Sequence, residues 1–134
     1  MPHTTSAAIA ARIQDLYGAA LADLEAHADA SPRESMLAAL LGSYADLELA
    51  ERNIDFQLAR LRQLAGPERV IGPHDASYIL DCARRIAESV AVRDAHTKVT
   101  GAVLQSLHRV PAPEPPAPAS APAVSAPAAA ARAR

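Results

Sequence analysis

Two Gly-Pro steps, Gly66-Pro67 and Gly72-Pro73, stand between two long stretches that contain no proline. Glycine allows the left-handed turn that closes a helix, and proline, lacking an amide donor, fits a helix's first turn but not its interior. The steps therefore read as a stop and a start. One predicted helix spans 32–65 and another 74–109, lengths of 34 and 36 residues, joined by the eight-residue connection 66–73. At 1.5 Å per residue each rod is about 50 Å long, and so short a link forces the two antiparallel. The first rod opens on Ser31-Pro32-Arg33-Glu34, an N-cap serine, a proline at the first helical position and a glutamate three residues after the cap. Pro73 or Asp75 sets the first turn of the second, and Pro111 ends it.

A third predicted helix, over 5–28, precedes them, with Ile9, Ile13, Leu16, Ala20 and Leu24 at helical spacing. It covers only about two-thirds of the hairpin's length. An isolated rod gains little from helix propensity, so the remainder of the hairpin needs a cover from another copy or a partner. The expected architecture is all-α: a three-helix antiparallel bundle built on a long helical hairpin, over residues 1–110. Residues 111–134 hold seven prolines and eleven alanines, with Val124 as the one large aliphatic side chain. That composition neither continues a helix nor fills a core, so it reads as a disordered Pro/Ala-rich tail leaning to polyproline II.

The chain is 50% hydrophobic, yet 33 of its 134 residues are alanine, which carries little burial energy. Four aromatic residues, Tyr17, Tyr44, Phe56 and Tyr78, are too few to anchor a β core. The burial energy instead lies in a heptad seam: Leu37, Leu40, Tyr44, Leu47, Glu51, Ile54, Leu58, Leu61 and Ala65. Its seven large apolar members are the predicted contact surface, either between proteins or inside the bundle. Glu51 interrupts the seam near mid-height. A hairpin turning about residues 69 and 70 brings it near residue 88, within reach of Arg85 and Arg93. The partner helix is polar there too, at Arg93, His96, Thr97 and Thr100. Glu51, Arg93 and His96 are thus the predicted polar layer, either a register-fixing network or an anion pocket. Gly42 and Gly101 fall inside the rods toward one end, and close helix approach is the expected reason.

The formal charge is −2, and its 13 cations are twelve arginines and Lys98. That bias, beside so much alanine and proline, is what a GC-rich coding sequence yields, so a bacterial source is expected. No basic block supports sequence-independent nucleic-acid binding. Mixed charge on the polar faces disfavours a membrane-surface helix, and no apolar run is long enough to span a bilayer. Met1-Pro2-His3-Thr4-Thr5 lacks the basic and apolar regions of a secretory signal, so cytoplasmic residence is expected. One cysteine, Cys82, precludes an internal disulfide. No HExxH, ExxH or paired CxxC occurs, so no metal or cofactor is expected. His74, Tyr78 and Cys82 share a helical face, but two ligands two turns apart do not close a metal site. Cys82 with His74 as base lacks anything resembling an oxyanion site.

The expected function is accordingly non-enzymatic: a helical scaffold or adaptor subunit in a bacterial assembly, acting through contacts with itself or another helical protein. The alternative is a nucleic-acid-associated or ligand-responsive accessory protein. It would use Arg60, Arg62, Arg69, Arg84 and Arg85, which gather near the hairpin turn among Asp55, Glu68, Asp75, Asp81 and Glu88.

Overall fold

A computed structural model describes residues 4–31, 33–111 and 113–117 of the chain. Among them every regular element is helical: α1 (Thr4–Tyr17), α2 (Leu21–Ala30), α3 (Met36–Leu64) and α4 (Pro73–Ser106). The helices α3 and α4 pack against each other as an antiparallel hairpin, α1 lies across both, and α2 packs on α1 and α3. The Ser43 hydroxyl is hydrogen-bonded to Nδ1 of His96 at 2.8 Å. The point midway between those two residues falls at 69 and 70, the turn centre expected from the sequence.

Three boundaries differ from the sequence reading, each for a local reason. The expected helix over 5–28 is two helices. Gly18 takes φ +69°, and its N–H still closes on the Gln14 carbonyl at 2.7 Å, a left-handed stop that a Cβ would strain. The Gln14 side chain then accepts the Leu21 N–H at 3.1 Å, bridging the break. The guanidinium of Arg109 covers Gly18 so closely that a Cβ there would lie 2.7 Å from Nη2.

The second boundary lies between α2 and α3. Ser31 ends α2, its N–H bonding to the Ala28 carbonyl, and is not the cap of the long rod. Ser35 is that cap: its side chain accepts the Ala38 N–H at 3.1 Å. Because α2 runs to Ala30, the chain needs the intervening residues to reverse, and a helix starting at 32 would leave none. The third boundary is the end of α4, three residues early. Ser106 Oγ donates to the Val103 carbonyl at 2.7 Å, competing with the backbone ladder. Leu107 caps the helix and packs against the core. Its start follows expectation, with Pro73 at the first position and Asp75 accepting the Gly72 N–H at 3.1 Å.

The core is concentrated where α1 sits. Ile9, Ile13, Leu24, Leu37, Leu40, Leu41, Leu47 and Leu104 form one buried cluster, with Ile13 and Leu47 fully enclosed. Residues 111 and 113–117 are exposed and carry no regular structure. The expected disorder of the tail falls chiefly on 118–134, outside the described residues.

Gly42 and Gly101 do not mark a close helix approach, because a Cβ on either would meet nothing within 4 Å. Each then leaves only its backbone-entropy cost. Gly42→Ala and Gly101→Ala should each stabilise the chain by about 0.5–1 kcal/mol in urea unfolding. A loss of stability would mean that something packs tightly against that face.

Candidate interaction surface

α1 stops short along the hairpin, and where it stops defines the surface. Ser6, near the start of α1, donates its backbone N–H to Glu51 Oε1 at 3.2 Å. Its hydroxyl bonds to Oε2 of the same carboxylate. At the other end, Tyr17 lines a cavity of about 590 Å³ together with Leu37. α1 therefore covers the seam from Leu37 to Glu51, and among the described residues no helix continues down the hairpin beyond it.

Glu51 is 6% exposed, as a seam position should be, but its partner is not the one expected. The carboxylate binds the N-terminal turn of α1, where free N–H groups and the helix dipole favour an anion. Arg85 instead pairs with Asp81 at 2.8 Å, and Arg93 with its neighbour Asp94 at 3.0 Å. The predicted layer of Glu51, Arg93 and His96 is thus not one cluster. A separate polar contact joins the long helices: the Ser43 hydroxyl also bonds the buried hydroxyl of Thr100, and Asp46 approaches His96 Nε2 at 3.8 Å. Thr97 satisfies itself on the Arg93 carbonyl at 2.7 Å. Ser43 and His96 line a shallow cavity of about 300 Å³ with Ala95 and Val99. Mid-helix N–H groups there are committed to their own ladders, so the pair lacks donors for an oxyanion.

Below Glu51 no third helix lies on the seam among the described residues. Ile54, Leu58 and Leu61 on α3 are only half-buried, as are Ile79, Ile86 and Val90 on α4. Helical spacing puts Leu58 one heptad below Glu51 and two below Tyr44, on the line that α1 covers higher up. Helical spacing puts Ile79, Ala83, Ile86, Ala87 and Val90 on one face of α4, with no charged member among them. The α3 side carries Asp55 and Arg62 beside Leu58, both exposed. Fully burying a side chain such as Leu or Ile is worth about 1.5–3 kcal/mol relative to exposure, and much of that is unrealised here. The seven seam residues thus divide. Leu37, Leu40 and Leu47 are buried inside the chain, Tyr44 is half-buried against the core cluster, and Ile54, Leu58 and Leu61 line the open groove. Burial, and secondarily Glu48, holds the Tyr44 hydroxyl above its ordinary pKa.

Comparison with protein-family models, curated proteins and solved structures returns no match to this chain.

The five arginines proposed as an anion contact are all exposed, and three are held by carboxylates. Arg69 meets Asp75 at 3.0 Å, Arg84 meets Asp81 at 2.6 Å and Glu88 at 2.7 Å, and Arg85 shares Asp81. The hydrogen bonds from Arg84 and Arg85 hold the Asp81 carboxyl below the usual carboxylate range. Cys82 is 3% exposed, while His74, two helical turns away, is exposed. Among the described residues no three metal-ligating side chains cluster, and no helix is long and apolar enough to cross a membrane.

Proposed function

We propose that this chain is a non-enzymatic scaffold or adaptor subunit that works through the uncovered half of its hairpin. The three-helix bundle expected from the sequence is then a two-part object. The end covered by α1 and α2 is the folded base, and the turn end is a two-helix projection offering an apolar groove. The observation that carries this is the half-buried row Ile54, Leu58, Leu61, Ile79, Ile86 and Val90, continuous with a seam whose Leu37, Leu40, Leu47 and Glu51 are buried where α1 lies on it. A groove of this kind accepts helices through i, i+3, i+4 and i+7 anchors. A cytoplasmic, bacterial setting accompanies this reading.

Two observations weigh against the alternatives. Arg69, Arg84 and Arg85 are matched to carboxylates at contact distance, which leaves a weak field for nucleic acid. The groups an enzyme would need at mid-height, Glu51, Arg93 and His96, each engage a different partner.

A photo-crosslinking residue tests the reading in cells that make the protein. Placed at Leu58 it should give one discrete crosslinked protein, identifiable by mass spectrometry. Placed at Gln63, which is exposed and faces away from the groove, it should give none. Equal crosslinking at both positions, or none at Leu58, would overturn the assignment.

A further inference from the structure

We infer that the cavity between α1, α2 and the start of α3 is a binding site for a small organic carboxylate with an apolar body. The cavity lies at the covered end of the hairpin, away from the groove. This inference therefore goes beyond the adaptor reading and stands or falls separately from it.

The cavity forms where helix ends diverge. α1 stops at Tyr17 and α3 starts at Met36. Between them Leu24, His27 and Ala28 stand at i, i+3 and i+4 and so share one face of α2. With Leu37 these residues border about 590 Å³, inside the range of roughly 300–1,000 Å³ that ordinary ligand pockets occupy.

Its lining is of two kinds. Leu24 and Leu37 are apolar and buried, and the Tyr17 ring, Ala28 and Met36 extend the apolar wall. Met36 is 50% exposed, an unbranched thioether able to fold over an aliphatic guest. The polar members are His27, Ser31, Arg33 and Ser35, and each can donate a hydrogen bond. Arg33 does so through a charged fork that matches a carboxylate. The Ser35 oxygen already accepts the Ala38 N–H, which leaves its own hydrogen to give.

Among the described residues no acidic side chain lines the cavity, and neither Arg33 nor His27 has an ion-pair partner. Asp23, Glu25, Asp29 and Glu34 are near in sequence, but all are exposed and outside the lining. A guanidinium, an imidazole and two hydroxyls thus face an apolar wall. A bare anion would leave that wall in water, and a neutral apolar guest would leave the donors without an acceptor. A molecule carrying both ends suits both.

Octanoate is the probe, with octanol and octylamine as its neutral and cationic counterparts. Titrated into the isotope-labelled full chain and followed by amide NMR shifts, octanoate should saturate with a Kd below about 1 mM. Tyr17, Leu24 and Leu37 should move most. Octanol should bind about fivefold more weakly, and octylamine should not bind. Arg33→Ala, at an exposed position, should weaken octanoate about fivefold and leave octanol unchanged. Met36→Glu puts a carboxylate of the chain itself at the cavity's rim, in a first helical turn that tolerates an acid. It should abolish octanoate binding while circular dichroism shows the helices intact. Absence of a saturable shift around the cavity overturns the inference. So does octanol binding as tightly as octanoate, or octanoate binding that survives both substitutions. The Leu58 crosslink reports on the groove alone, so either reading can fail without the other.

Discussion

Leu47→Ala is expected to lower the unfolding free energy of the dilute chain by about 3–5 kcal/mol, while Leu58→Ala, on the same seam, lowers it by about 1 kcal/mol or less. Leu47 is fully enclosed. Its truncation removes transfer energy and opens a cavity between α1, α3 and α4 that their backbones cannot fill. Leu58 is half-buried in a groove that lacks a third wall, so the same truncation empties space that water already reaches. Urea unfolding at low micromolar concentration reads both values. Equal, large costs would mean that the turn half of the hairpin is as well covered as the base.

The second large effect belongs to Glu51. Glu51→Ala is expected to cost about 2–3 kcal/mol, because it strips a buried carboxylate from the N–H and hydroxyl of Ser6, which is itself 4% exposed. Glu51→Gln should cost less, since an amide oxygen still accepts one of the two bonds. Which partner matters is settled by double-mutant cycles. Glu51→Ala with Ser6→Ala should show a coupling of about 1–2 kcal/mol, and Glu51→Ala with Arg93→Ala a coupling near zero. The reverse pattern would restore the interhelical ion pair expected from the sequence. In the first case the loss is concentrated in the docking of α1, so its amides should lose protection before those of α3 and α4.

Where local chemistry decided the outcome, the sequence was informative. The Gly-Pro steps and the heptad spacing place the hairpin, its turn centre and the Ser43–His96 register. Pro73 and Asp75 foretell the start of α4 to within a residue. Comparing the length of the first predicted helix with that of the hairpin led to the expectation that part of the hairpin is left for another cover, and among the described residues α1 reaches only as far as Glu51. What escaped were competitions between distant or equivalent signals. Ser31 and Ser35 are both good caps, and the choice fell to Ser35 because α2 used the chain up to Ala30. Glu51 had arginines available on the facing helix, but the N–H groups at the start of α1 lie 45 residues away in sequence, invisible to any local rule. Gly18 did carry a signal, a glycine one residue past the apolar pair Leu16-Tyr17. An apolar repeat that continued through Leu24 obscured it. Gly42 and Gly101 show the opposite error: a shared location suggested a close approach, and neither glycine faces one.

One link in this account is physical rather than local. The seam is a single sequence feature, but its burial changes along its length according to whether α1 reaches it. Had α1 been two turns longer, the same residues would read as ordinary core.

Hydrogen exchange along α3 and α4, followed by mass spectrometry in the dilute chain, separates the two halves of the hairpin. In the dilute chain the amides of 54–64 and 76–90 should exchange far faster than those of 38–51 and 95–104, because only the latter lie under α1. Uniform protection along both helices in the dilute chain would contradict the account, since it would mean that the groove is already closed within a single copy.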